Sequence, residues 1–314
     1  MTAYRQGRRK GSSSKLVVYV ALAANVAITV AKFIVGAASG SSAVIAEAIH
    51  SLIDSGNQAL LLVGERRSRN PASALHPFGH GKEIYFWSLI VAVIWFGVGG
   101  GMAAYEGITR LLHPRAITHP GPIYVVLGVA ALFEGISLSF ALVTFGRRRG
   151  LDNFLSKVRG SKDPSIFTVL FEDAAALAGV LVAGIGAFLA YWLHNPFYDG
   201  AASIIIGAIL CFVALWLARE SRDLLIGESA HPGVIASIGR IVRQDKAVEA
   251  ARYPLTMHLA PQEILLNIEV QFKAGITAAQ QTEAVVRIER NIKQAHPEVS
   301  HIFIESRELS PRVA

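Results

Sequence analysis

A single cysteine, Cys211, stands among the 314 residues. One thiol per chain forms no internal disulfide and builds no thiolate metal cluster. Charge is scarce as well: 17% of residues are Asp, Glu, Lys or Arg and 52% are hydrophobic, where an average soluble protein carries about 25% charged residues. That deficit implies an integral membrane protein. The phosphate-cradling run Gly-x-x-x-x-Gly-Lys-Ser/Thr is missing, which argues against direct ATP drive. The apolar segments hold no pair of Glu-x-x-His motifs of the kind that builds a di-metal enzyme centre in a bundle. Lys and Arg exceed Asp and Glu by a net charge of +7, but the bases cluster at the ends of apolar runs, which argues against a nucleic-acid partner.

What is present is a set of six apolar runs, 16–38, 43–63, 84–112, 123–145, 165–193 and 198–217, near the length of about 20 residues that crosses a bilayer as a helix. The expected organisation is a basic arm at 1–15, a six-span all-α membrane domain at 16–222 and an aqueous domain at 228–314. With the N-terminus in the cytoplasm, the inside segments hold fifteen Lys and Arg and the outside loops two, Arg110 and Arg115. This bias predicts both termini in the cytoplasm. The arm lacks the apolar core of a cleavable signal, and no clear organelle presequence rich in Arg and Ser precedes the first span, so a bacterial plasma membrane is expected. Gly97 and Gly101 form a small-xxx-small pair that predicts a close helix approach, and Lys32 is expected to snorkel outward.

From His231 the periodicity changes. A helix at 232–245, a strand at 248–258, a turn at Ala260-Pro261, an alternating strand at 263–272, a helix at 278–295 and a strand at 301–305 are predicted. The order αββαβ is that of a ferredoxin-like α+β domain, a small sheet covered by two helices. Thr277 and Gln280 have capping-box spacing at the start of the second helix.

The ionisable residues inside the spans carry the chemistry. The second span reads Glu47-Ala-Ile-His-Ser-Leu-Ile-Asp54, and a charged form buried at that depth costs roughly 2.5–3.5 kcal/mol, so it needs a partner or a task. His50 and Asp54 are four apart, which stacks them on one helix face where they can share a cation. Phe171-Glu172-Asp173 lies in the fifth span and Glu134 in the fourth. Glu47 is expected to face a neighbouring helix or an outer funnel, and Glu134 either to bond Ser137 or Asn25 or to serve the site. The expectation is a carrier of a divalent metal ion and not an enzyme. The competing classes are a membrane metalloenzyme and a membrane-anchored metal sensor or scaffold.

Nearly the whole chain resembles the cation diffusion facilitators, a family that exports zinc and related divalent ions. The resemblance rests on the six spans, Ala46-Glu-Ala-Ile-His-Ser-Leu-Ile-Asp54, His76-Pro-Phe-Gly-His-Gly-Lys82, Asp173 and the tail ending His296-Pro-Glu-Val-Ser-His-Ile-Phe-Ile-Glu305. It implies that His50, Asp54 and Asp173 ligate the transported ion. The family's further ligand, four residues before Asp173, is replaced here by Val169. Glu172 is then the first candidate for the fourth ligand and Glu134 the second. The Glu172-Asp173 pair is similar to the zinc-transporter-nine-like branch. The resemblance also implies a homodimer and a Lys82 paired with an acid near the end of the sixth span, Asp223 or Glu228. His76 and His80 resemble a second metal position, or they shape the entrance to the third span. His258, His301 and Glu305 are candidates for a regulatory metal between two subunits.

One imidazole with two or three carboxylates suits tetrahedral Zn²⁺, and its oxygen-rich character keeps Mn²⁺, Fe²⁺ and Co²⁺ in play. Metal and protons compete for the same atoms, since binding needs neutral imidazole and ionised carboxylate. Exporting a dication against a membrane potential costs about 2.3 kcal/mol per charge per 100 mV. The expected mechanism is therefore export in exchange for inward H⁺.

Overall fold

The structure is a computed structural model that describes residues 11–117, 120–149 and 164–309; the first ten residues of the basic arm and the linker at 150–163 lie outside the described residues. Among the described residues six long helices come first: α1 (Gly11–Ser39), α2 (Ser42–Ser68), α3 (Glu83–Leu112), α4 (Pro120–Arg149), α5 (Pro164–Trp192) and α6 (Phe197–Ile226). Proline opens α4 and α5, where its missing N–H costs nothing. Gly40, with φ +73°, turns the chain between α1 and α2 in a backbone region that side chains disfavour. A π-helical turn, Val91–Phe96, interrupts α3.

Among the described residues four helices are long and apolar enough to cross a membrane: Glu83–Leu112, Pro120–Val143, Leu170–Trp192 and Phe197–Ile226. In α1 the described apolar part, Asn25–Ser39, is shorter, and α2, although 27 residues long, is interrupted by Glu47, His50, Asp54 and Asn57. Phe140 of α4, Phe188 of α5 and Phe212 and Leu215 of α6 are exposed, as side chains meeting hydrocarbon would be.

The chain divides into two compact units. In the first, which holds most of α1–α6, α3 and α6 approach through glycines other than those expected. A Cβ at Gly107 would lie 2.7 Å from the Gly200 carbonyl, and one at Gly207 would lie 2.7 Å from the Gly100 carbonyl. At Gly97 and Gly101 a Cβ would meet nothing within 4 Å. The contact runs along Gly100 and Gly107 because those positions share the face turned to α6, a matter of helix rotation that the spacing does not disclose.

Asp199, in the first turn of α6, fastens one end of this unit. Its carboxylate accepts from the Ser42 N–H at 2.6 Å and from the hydroxyls of Ser41 at 2.5 Å and Ser42 at 2.8 Å, capping α2. Arg110, at the end of α3, is buried, stands 3.8 Å from the same carboxylate and donates to the Gly40 carbonyl. Arg110, one of the two basic residues of the outside loops, is turned into the protein and engages that carboxylate and carbonyl.

The second unit combines the loop 64–86, the end of α6 and the tail. The tail comprises α7 (Pro232–Arg243), β1 (Val248–Ala251), β2 (Leu255–Ala260), β3 (Glu263–Phe272), α8 (Ala278–Ala295) and β4 (Val299–Ser306). The single strand expected at 248–258 is two strands. Pro254, which has no N–H for a ladder, lies between them, and both pair antiparallel with β3, while β4 pairs parallel on its other edge. Ile264, Leu266, Ile268 and Val270 of β3 are buried in alternation under Ile235, Ile238 and Val242 of α7 and Ile288 and Ile292 of α8. The Thr277–Gln280 capping box is present in both directions.

Candidate functional site

The site begins with the stripe on α2. His50 is completely buried, and its Nε2 lies 3.6 Å from Asp54 Oδ2, as four-residue spacing on a helix dictates. Asn57, three residues further on the same face, donates to Glu172 Oε1 of α5 at 2.5 Å. Glu172 is 5% exposed and so turned into the bundle. Asp173, rotated about 100° from it, is instead engaged with α4, where it accepts from Ser137 Oγ at 2.7 Å. Ser137, a candidate partner of Glu134 from sequence, thus serves Asp173. Glu134 is half-buried on α4.

Glu172 therefore meets α2 through Asn57, one turn beyond Asp54, while Asp173 leans toward α4. Among the described residues no three His, Cys, Asp or Glu side chains stand close enough to hold one ion in this conformation. Asn57 went unremarked in the sequence, although its spacing from His50 and Asp54 places it on the same stripe. Lys32 does not snorkel. It is fully buried, with Nζ 3.2 Å from Glu47 Oε2 and 2.7 Å from Ser51 Oγ, so Glu47 meets α1 and not a funnel. The side chain of Val169 lies outside the described residues.

In the second unit His76 and His80 lie on an exposed loop with ring centroids 4.4 Å apart, and His80 Nδ1 is 3.2 Å from the Pro71 carbonyl. Phe78, between them in sequence, packs edge-on against His301 and Phe303. Lys82 Nζ donates to the Leu225 carbonyl at 3.3 Å and lies 3.6 Å from Met257 Sδ, and burial lowers its pKa below the usual lysine value. Asp223, one of its two expected partners, instead binds Arg222 at 2.7 Å. In the tail, His258 and His301 lie on β2 and β4, on opposite sides of β3. Glu305 accepts from Asn267 and pairs with Arg307.

Residues 18–226 match the model of the cation efflux transmembrane domain. The chain belongs to the cation efflux family, the cation diffusion facilitators. Among relatives of this facilitator, a Xenopus laevis protein named proton-coupled zinc antiporter SLC30A9, mitochondrial, is 30% identical over 307 residues, covering 85% of this chain and 55% of that protein. The human protein of the same name is 28% identical over 329 residues, with 92% and 58% covered. Metal tolerance protein C4 of Arabidopsis thaliana is 31% identical over 261 residues, with 82% and 57% covered. The chain spans somewhat more than half the length of these curated relatives.

Proposed function

We propose that this facilitator exports a divalent cation, Zn²⁺ first, from the cytoplasm in exchange for H⁺. The observation that carries the reading is the polar stripe of α2, where His50 pairs with Asp54 and Asn57, one turn on, holds Glu172 of α5 inside a bundle of apolar helices. One imidazole and two carboxylates can take an ion into tetrahedral ligation once Asn57 yields Glu172, and Mn²⁺, Fe²⁺ and Co²⁺ remain competitors for such oxygen-rich ligation. Asp173 and Glu134 supply further carboxylates at the α4 side of the site.

In this reading α1 and α2 complete a six-span domain of ferredoxin-tailed architecture, divided as 1–15, 16–222 and 228–314. Both termini lie in the cytoplasm, as the excess of Lys and Arg in the inside loops favours. The facilitator alternates its access by rocking α2 against α5, works as a homodimer and returns protons inward through the carboxylates that release the metal. His76 and His80 form an additional metal position at the cytoplasmic loop. The names of the zinc-antiporter relatives agree with the choice of ion and of counter-ion.

The test is metal uptake into proteoliposomes with an acidic lumen. Zn²⁺, Mn²⁺, Fe²⁺ and Co²⁺ are compared in wild type, Asp54→Ala and Glu172→Gln. Zn²⁺ uptake that stops when the proton gradient is collapsed, and that both substitutions abolish, is the expected result. A wild-type protein that binds Zn²⁺ and moves no ion refutes it.

A further inference from the structure

The polar stripe of α2 is longer than the proposed ion site needs. Glu47 precedes His50 by three residues and Asp54 by seven, so at 100° per residue Glu47, His50, Asp54 and Asn57 share one face. At its Glu47 end the stripe already holds a cation. Lys32 reaches in from α1 to Glu47 Oε2 and Ser51 Oγ, and the side chains of both Lys32 and Glu47 are 0% exposed. The second carboxylate oxygen, Glu47 Oε1, is buried and accepts no hydrogen bond from the described residues. It is directed at α5, where a Cβ on Gly179 would stand 1.9 Å from it. A buried ion pair rarely stabilises a bundle more than apolar side chains of the same volume would, and ionisable groups inside spans mark working parts.

We infer that Lys32 is a resident cation that occupies the Glu47 end of the stripe and confines the mobile dication to the His50–Asp54 end. This rests on the transport reading above. Without Lys32, Glu47 would stand one turn from His50 with both oxygens unused, and an arriving dication could displace its proton and take it as a further ligand or a second station. With Lys32 in place its charge is cancelled, and an incoming dication meets a fixed ammonium instead. Lys32 thereby sets how many ions the stripe holds. It also keeps one oxygen donor out of the ligand set, which biases the site away from the harder Mn²⁺ and toward Zn²⁺.

The experiment is calorimetric titration of the purified full chain with Zn²⁺ and with Mn²⁺, in wild type, Lys32→Met, Glu47→Gln and the double variant. Lys32→Met is expected to bind one more ion, or to raise its Mn²⁺ affinity relative to Zn²⁺ by roughly tenfold. Glu47→Gln, which leaves the ammonium uncompensated near His50, is expected to weaken both ions by roughly tenfold or more. The double variant returns to the wild-type number and preference. Identical binding in every folded variant overturns the inference. If Lys32→Met does not fold, equal affinities in Glu47→Gln and the double variant overturn it. Flux in the same preparations separates the two readings. A wild type that binds without transporting refutes export, whereas a transporting wild type with variants that all bind alike refutes the resident cation alone.

Discussion

Replacing Gly179 by Ala puts a methyl carbon 1.9 Å from Glu47 Oε1 and 3.0 Å from its Cδ, where ordinary contact begins near 3.4 Å. The carboxylate must retreat by about 1.5 Å to restore a normal separation. In a surface side chain that movement is cheap, but here Glu47 is fully buried and its other oxygen is held by Lys32 at 3.2 Å. Overpacking a core costs about 1–3 kcal/mol, and separating a buried ion pair about 3–5 kcal/mol. Because the pair relaxes in part, the expected loss lies at about 2–4 kcal/mol. Thermal unfolding in detergent, followed by tryptophan fluorescence, reads it directly, and proteoliposome uptake is expected to fall with it. The same substitution in a Glu47→Ala/Lys32→Met background meets no carboxylate, and its cost is expected to drop below about 1 kcal/mol. A Gly179→Ala protein as stable as wild type refutes the reasoning, as does a penalty that persists undiminished once Glu47 and Lys32 are gone.

Two further outcomes follow from other parts of the fold. Asp199→Ala strips the acceptor from Ser41, Ser42 and the buried Arg110, so a loss of about 3–5 kcal/mol in the same unfolding assay is expected; Arg110→Met added to it recovers much of the loss, and a loss below about 1 kcal/mol sinks the clasp. In the tail, Arg287 binds both oxygens of Asp245 at 2.7 and 2.8 Å and holds that carboxyl below the usual range. A carboxylate whose folded-state pKa is depressed stabilises fully above its unfolded value of about 3.9 and loses that contribution as pH falls through the folded-state value. Amide exchange in α7 and α8 of the full chain is therefore expected to be slower in wild type than in Asp245→Asn at pH near 6, a difference that closes at a pH acid enough to protonate the depressed carboxyl. A difference of equal size at both pH values contradicts the pairing.

Much of the fold was legible because its signals are local. The alternation of Ile264, Leu266, Ile268 and Val270 announced a half-buried strand, and Thr277 with Gln280 announced a helix start. Six apolar runs announced spans, and among the described residues four of them are helices long and apolar enough to cross a membrane. The split of the strand at 248–258 was also written locally, in Pro254, and was passed over. For the candidate site, four-residue spacing was enough to bring His50 to Asp54.

What the amino-acid sequence by itself determined is this set of one-element facts: which runs are apolar, which face of a helix its polar residues share, where an element starts or breaks. Tertiary structure alone decided which neighbour each face meets. Glu172 reaches α2 through Asn57 while the adjacent Asp173 reaches α4 through Ser137. Gly100 and Gly107, and not Gly97 and Gly101, carry the approach of α3 to α6, and Lys32 finds Glu47 across the α1–α2 turn. The reason is physical. Helical periodicity is set by hydrogen bonds four residues apart, whereas the rotation of a helix in a bundle is set by packing against all its neighbours at once.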